Sequence, residues 1–259
     1  VSGEKISGDA EELAGFSSRG PCDDERIKPD LVAPGTDIMS TRSQDAPSSN
    51  FWGTHRAHGG KYAYMGGTSM ATPHVSGCAA LVREYYRRKR RLKKPSAALL
   101  KATLINGCRP LSGKGAVAAP EGEPNFHQGF GCVDLARTLP ASAADFKLAY
   151  VDTWRDPDLS IDSETCHQWQ FKLERKQDLR ICFAYTDFPA RSLQNVLYIL
   201  VEEPAGGAAK HFGNENGPKG VVVGSDTKNN VEVVRIPNAK PGDYVVQVAA
   251  RMVLHHPQH

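Results

Sequence analysis

Long apolar runs are absent from this sequence of 259 residues. No stretch approaches the ~18 consecutive apolar residues of a membrane-spanning helix, so the sequence predicts no such helix. The six cysteines are too sparse for a small fold built on disulfides, and no Cys-x-x-Cys spacing suggests a metal site. Neither sign of charge dominates, since 32 basic residues accompany 29 acidic ones. The 40% of apolar residues can bury a core, which predicts one large globular domain or two ordinary ones.

The basic residues are concentrated in one segment. Residues 83–94 contain eight basic residues and one acidic residue, so the rest of the chain carries a net negative charge. We interpret this segment as the solvated C-terminal end of a helix, where cations interact favourably with the helix dipole. The alternative is a surface for an anionic ligand, whose binding would depend on salt. No recognised nucleic-acid-binding pattern surrounds the segment, so we expect no nucleic-acid partner.

The first half of the sequence predicts helices between loops rich in Gly and Pro. A helix is predicted from Thr68 to Arg88, and the small and apolar residues on nearly every face of 71–82 indicate burial all round. Pro73 is expected in its first turn, where a missing N–H does no harm. A second helix is predicted over 96–105 and a short helical turn over 133–138.

From Asp145 the apolar residues recur with a period of two. Within residues 169–173 and 179–185 the apolar residues alternate with polar ones. The polar pair Lys176 and Gln177, which lies between the two runs, suggests a hairpin. Further strands are predicted at 196–201, 221–223, 231–236 and 244–250. Several short strands separated by turns rich in Pro, Gly and Asn are typical of a β-sandwich.

One segment carries a pattern typical of nucleophilic catalysis. In residues 66–77 (GGTSMATPHVSG) two glycines lead into a serine at the start of the predicted helix. A hydroxyl at this point could attack a carbonyl carbon while the serine's own N–H, at the positive end of the helix dipole, helps to hold the oxyanion. A bare Gly-Thr-Ser could equally place Thr68 or Ser69 as an ordinary N-cap.

The longer stretch GTSMATPHVSG resembles the nucleophile motif of the subtilisin-like serine proteases. The surrounding segments resemble those of the same family in the same order: 16–21 (FSSRGP), 28–35 (KPDLVAPG), 62–67 (YAYMGG) and 128–133 (QGFGCV). The later sandwich resembles the C-terminal jelly-roll of the KP-43-like branch. The resemblance implies that Ser69 is the nucleophile and a backbone oxyanion donor. It also implies that four residues shape the turn and the start of the helix: Gly67, Thr68, Met70 and Pro73.

The resemblance also implies a fold and a function. Residues 1–140 are expected to form the C-terminal part of a parallel-sheet α/β catalytic domain, and residues 141–259 a β-sandwich or jelly-roll whose last strand is apparently missing. The implied activity is a serine endopeptidase that hydrolyses polypeptide through an acyl-enzyme on Ser69, and the implied location is extracellular. The alternative is a catalytically inactive, protease-derived binding or scaffold protein.

Serine needs a histidine base and an aspartate that orients it. In the family these residues, and the asparagine that completes the oxyanion hole, precede the serine. The residues before Ser69 contain no similar stretch, so we expect them, with the rest of the catalytic domain, to come from sequence upstream of this chain. His74 is expected to be a hydrogen-bonded helix residue. The stretch around His55 and His58 is expected to be a loop.

The resemblance implies no required cofactor, but jelly-rolls of this branch bind calcium. Asp226, Asn229, Asn230 and Glu232 offer oxygen ligands of the kind that calcium prefers. The acidic strand of the related proteases is replaced here by 195–198 (NVLY), which lacks two carboxylates. A plain surface loop is therefore the alternative for these residues.

Overall fold

The computed structural model describes residues 8–45, 60–117, 123–142, 145–153, 158, 160–204, 209–215, 217 and 224–255. Within them a helical region precedes a region of antiparallel strands. The first two strands, β1 (Ile38–Thr41) and β2 (Tyr62–Met65), pair antiparallel. None of the helices in these ranges has the length and apolar character needed to cross a membrane.

The three predicted helices are confirmed. They are α1 (Thr68–Arg88), α2 (Ala97–Gly107) and α3 (Leu135–Thr138). Ser96 caps α2, because its hydroxyl oxygen accepts a hydrogen bond of 2.9 Å from the backbone N–H of Leu99. Asp134 caps α3 in the same way, through the N–H groups of Ala136 and Arg137. Side-chain caps thus fix the start of both shorter helices.

Only one face of α1 is buried, so the expectation of burial all round was wrong for the described structure. A stripe that includes Val82 and Tyr86 packs against Leu99 and Leu104 of α2. The Tyr86 hydroxyl is 2.8 Å from that of Thr103. On the opposite face Leu81 is 49% exposed. The pattern predicted a helix with partners on every side, whereas the described residues cover only the side that α2 occupies.

The second half of the chain forms two antiparallel sheets that share one core. The strands are β3 (Cys166–Leu173), β4 (Gln177–Ala184), β5 (Asn195–Glu202), β6 (Lys210–Phe212), β7 (Val231–Ala239) and β8 (Gly242–Val253). One sheet has the order β3-β8-β5-β6 and the other pairs β4 with β7. Leu173, Val201 and Tyr244 of the first sheet pack against Val234 and Ile236 of the second. The predicted antiparallel layers are confirmed, and the predicted strand 221–223 lies outside the described residues.

The hairpin predicted at Lys176 and Gln177 was wrong. β3 pairs with β8, and β4 pairs with β7, so the chain crosses from one sheet to the other between β3 and β4. The reason lies in the core, where Phe171 of β3 and Ile181 of β4 join the same cluster from opposite sheets. Alternation identified the strands correctly, but it could not distinguish neighbours within a sheet from strands that face each other.

The parallel sheet predicted for the first half does not occur among the described strands. β1 and β2 run antiparallel, and the parallel pairing in the described residues is a single bridge between Val32 and Cys132. This bridge joins two of the segments that carried the family resemblance. It joins residues 28–35 to residues 128–133, and we call these two bonded segments the Gly-rich frame.

The helical region and the strands are joined by a shared apolar cluster. Ile27, Ile105 and Phe130 of the first half pack with Val231 and Val233 of β7. Polar contacts surround this cluster: the Arg235 guanidinium donates to the side-chain oxygen of Asn106 at 2.5 Å, and the Ile27 N–H donates to that of Asn229 at 2.8 Å. The core thus continues past the predicted boundary near residue 140, and that boundary stays a prediction.

Candidate functional site

Ser69 lies in the first turn of α1, exposed to solvent. The chain leaves β2 at Met65, passes through Gly66 and Gly67, and enters the helix at Thr68. Gly67 has a φ of 151° and a ψ of 165°, in a region that favours glycine. No side chain caps this helix, so its first N–H groups, including that of Ser69, point away from the helix without an intrahelical partner.

The turn before Ser69 is held by a second loop. The Gly67 N–H donates a hydrogen bond of 2.7 Å to the carbonyl oxygen of Gly35. A Cβ on Gly35 would lie 2.9 Å from the Gly67 carbonyl oxygen and 3.2 Å from the Ala71 Cβ, so a side chain there would push the two loops apart. Gly35 belongs to the KPDLVAPG stretch. Sequence reasoning did not assign it this contact, because 31 residues separate the two glycines.

The same stretch is bonded to the Gly-rich segment QGFGCV. The Phe130 N–H donates to the Asp30 carbonyl at 3.0 Å, and the Val32 N–H donates to the Gly131 carbonyl at 3.0 Å. Gln128 is 2% exposed; its amide accepts from the Leu111 N–H at 2.7 Å and donates to the Leu111 carbonyl at 2.9 Å. Sequence reasoning gave Gln128 no role. The structure makes it the buried polar link that holds this frame together.

No hydrogen bond joins the Ser69 hydroxyl to a histidine or aspartate in the part of the chain that the structure describes. His74 is exposed, and its Nδ1 lies 2.9 Å from the Met70 carbonyl oxygen, which agrees with the interpretation of a hydrogen-bonded helix histidine. His55 and His58 lie outside the described residues. The described residues thus present the serine without a base.

Pro73 lies at the sixth position of α1, so its predicted place in the first turn was wrong. The helix begins directly after Gly67, which puts Pro73 in the second turn. In a regular helix the N–H at this position would donate to the carbonyl of Ser69, but proline has no N–H. The Ser69 carbonyl therefore lacks the usual intrahelical donor.

Two of the four residues considered for calcium, Asp226 and Asn229, lie in a hydrogen-bonded network with Asn214. Asp226 is completely buried and accepts from the side-chain amides of Asn214 at 2.7 Å and Asn229 at 2.8 Å, and from two backbone N–H groups. Asn230 donates to the Tyr185 carbonyl at 2.9 Å. No cluster of three or more His, Cys, Asp or Glu side chains suited to a metal occurs in the described ranges.

This arrangement does not fit a calcium cage. Calcium takes 6–8 oxygen ligands, whereas here N–H donors occupy both carboxylate oxygens of Asp226. The other carboxyl group, that of Glu232, is completely buried, and burial raises its pKa well above the ordinary value, with the Asp226 charge adding to the effect. The geometry supports a structural network, and calcium binding stays a prediction.

Glu232 gives the stability of the protein a pH dependence. Its Oε2 accepts the Ile199 N–H at 3.0 Å, and its raised pKa means that the folded state keeps the proton at pH values where the unfolded state has lost it. The contribution of Glu232 to stability should therefore fall as the pH rises above about 4.5.

The substitution Glu232→Gln tests this. It keeps the acceptor for Ile199 and removes the titration, so the loss of stability between about pH 5 and about pH 8 should be smaller than in the wild type. Urea denaturation at about pH 5 and about pH 8 measures the difference. The matched control is Glu174→Gln, at an exposed carboxyl in the turn after β3. Identical pH profiles for the wild type and Glu232→Gln would contradict the assignment.

The segment around Ser69 is similar to a known protein family. Residues 6–131 match the model of the subtilase family, peptidase family S8. This segment is subtilase sequence. It contains β1, β2, α1 and α2, the Gly35 contact and the Gly-rich frame, so the features that position Ser69 all fall within it.

Several curated proteins are similar to the chain. The serine protease/ABC transporter B family protein tagA of Dictyostelium discoideum is 31% identical over 258 residues, which cover 90% of this chain and 14% of that protein. The subtilisin-like protease SBT4.4 of Arabidopsis thaliana is 36% identical over 127 residues, covering 47% and 15%. Serine protease AprX of Bacillus subtilis is 45% identical over 76 residues, covering 29% and 17%. The chain thus spans about one-seventh of the length of these relatives.

Proposed function

We propose that the full-length protein is a serine endopeptidase in which Ser69 is the nucleophile. The observation that carries this proposal is the position of Ser69: exposed, in the first turn of α1, within the segment that matches the subtilase family. The substrate is polypeptide, and the reaction needs no cofactor. The finer features of the proposal are a parallel sheet completed by further sequence and a jelly-roll of the KP-43-like kind.

The chemistry follows from the start of the helix. The Ser69 hydroxyl attacks the scissile carbonyl carbon and passes its proton to a histidine base, while the Ser69 N–H donates to the developing oxyanion. The positive end of the α1 dipole favours the same negative charge. The leaving amine takes the proton, and water then hydrolyses the acyl-enzyme. The histidine, its aspartate and the oxyanion asparagine are contributed from outside these 259 residues.

A fluorophosphonate probe tests the proposal directly, because it phosphonylates only an activated serine. We expect it to label the full-length protein at Ser69, as mapped by mass spectrometry, and to leave Ser69→Ala unlabelled. Ser76→Ala is the matched control: Ser76 is exposed on the same helix, and its hydroxyl donates to the Thr72 carbonyl. Labelling that survives Ser69→Ala would overturn the assignment.

The 259-residue chain alone should not react with the probe. It lacks segments resembling those that carry the family's base and its orienting aspartate, so nothing should activate the hydroxyl. Equal labelling of this chain and of the full-length protein would instead show that a local base activates Ser69, with His55 and His58 as the first residues to substitute. Absence of labelling in the full-length protein would favour the alternative, an inactive scaffold protein.

A further inference from the structure

The C-terminal end of α1 borders an open groove that the proposed catalysis does not use. Its lining residues are mainly basic: Ala80, Arg83, Glu84, Arg87, Arg88, Lys93 and Lys94. The helical members recur three or four residues apart and so share one face of α1. The chain then turns back at Arg91, which has a φ of 57°, and brings Lys93 and Lys94 to the same side. We call this feature the basic groove.

The charge of the basic groove is almost uncompensated. Glu84, its acidic member, pairs with Arg88 at 2.9 Å, but their side chains are 47% and 78% exposed, so water weakens the pair. Among the described residues no acidic side chain forms a salt bridge with Arg83, Arg87, Lys93 or Lys94. Four exposed cations thus surround a concave surface.

The shape and chemistry of the basic groove favour an extended acidic peptide. Arg83 and Arg87 are about 6 Å apart along the helix axis, close to the ~6.6 Å between alternate side chains of an extended chain. Guanidinium groups bind carboxylates through two parallel hydrogen bonds. Ala80 and the aliphatic stems of the basic residues supply an apolar floor.

The lining of the basic groove also argues against single-stranded nucleic acid. Binding of single strands relies on aromatic side chains on which bases stack. Among the residues that the structure describes, none of those that line the basic groove is aromatic. Tyr86 is buried in the core of α1 and α2, and the ring of Tyr150 is covered by the Arg90 guanidinium at 5.1 Å. We propose that the basic groove binds an acidic segment of a polypeptide partner in an extended conformation.

Fluorescence anisotropy with the full-length protein tests this proposal. The probe is a labelled peptide of about ten residues in which Glu and Asp alternate with Ala and Leu, and its comparators are a neutral Gln/Asn version and an oligonucleotide of about ten nucleotides. The acidic peptide should bind, and its affinity should fall steeply between about 50 and about 200 mM salt. The neutral peptide should not bind.

Two fourfold variants locate the site. The groove variant combines Arg83→Gln, Arg87→Gln, Lys93→Gln and Lys94→Gln, and should weaken peptide binding about tenfold or more. The control variant removes the same charge from exposed residues of the sandwich: Lys172→Gln, Arg175→Gln, Lys176→Gln and Arg251→Gln. All eight side chains are exposed, so thermal unfolding should show that both variants fold as the wild type does.

The outcomes separate the proposal from its competitors. Loss of binding in the groove variant and retention in the control variant support it. Equal loss in both variants would show that only net charge matters, and tighter binding of the oligonucleotide than of the peptide would identify a nucleic-acid surface; either result overturns the proposal. Because Ser69→Ala leaves the basic groove intact, peptide binding by that variant separates this proposal from the proposed catalysis.

Discussion

Replacing Ser69 by alanine in the full-length protein should lower kcat/KM for a peptide substrate by about 10⁴-fold or more. The loss should appear in kcat, since the methyl group removes the nucleophile and leaves the substrate contacts in place. The Ser69 N–H remains at the start of α1, so some oxyanion stabilisation should persist and the variant should retain a trace of activity. Initial rates against substrate concentration measure both constants.

The design includes two comparisons. Ser76→Ala, two turns along the exposed side of α1, should retain full activity. The 259-residue chain by itself should show no turnover above buffer, because it offers Ser69 no base among the residues that the structure describes. Robust hydrolysis by this chain, abolished by Ser69→Ala, would refute the requirement for groups supplied from outside it.

The substitution Gly129→Ala should destabilise the protein by about 3 kcal/mol or more, which lowers Tm by about 6–12 °C for a chain of this size. Gly129 has a φ of 60°, and a Cβ there would lie 1.9 Å from the Pro29 carbonyl oxygen and 2.6 Å from that of Asp30. Both are backbone atoms of the Gly-rich frame. A side-chain rotation therefore cannot relieve the clash, and the loops must separate.

Gly77→Ala is the control for this prediction. Gly77 lies inside α1, and a Cβ there would meet nothing within 4 Å. The change should be neutral or stabilising by ~0.5–1 kcal/mol, since alanine favours the helix more than glycine does. Thermal and urea unfolding of both variants measure the difference. Equal Tm values for Gly129→Ala and Gly77→Ala would show that Gly129 is not in tight contact with the carbonyl oxygens of Pro29 and Asp30.

Local sequence signals identified the helices well, because each begins at a capping side chain or a glycine turn. The period of two likewise identified the long strands. The sequence could not predict which strands pair within a sheet. Phe171 and Ile181 contribute to one core from different sheets, and the alternation of apolar residues is the same for strands that pair and for strands that face each other. The short β6 strand has only three residues and no pattern of its own.

For the site too, the local features could be predicted from the sequence and the long-range contacts could not. The glycine pair and the following residues placed Ser69 at a helix start, and the structure has it there. The contacts that hold it depend on long-range packing: Gly35 supports the turn, and buried Gln128 links the frame. The raised pKa of Glu232 also comes from burial and from Asp226, which sequence spacing does not reveal.

The length of α1 sets the distance between two places that a polypeptide could occupy, Ser69 and the basic groove. It is one unbroken element of 21 residues, and Ser69 and Arg83, the nearest cation of the basic groove, are separated along it by about 21 Å. An extended chain covers ~3.3–3.6 Å per residue, so a segment held in the basic groove needs about six residues to reach the serine. An acidic stretch closer to the scissile bond than this cannot engage both places at once. The fixed length of α1 thus sets a minimum spacing between the scissile bond and the acidic segment of any substrate that binds at both Ser69 and the basic groove.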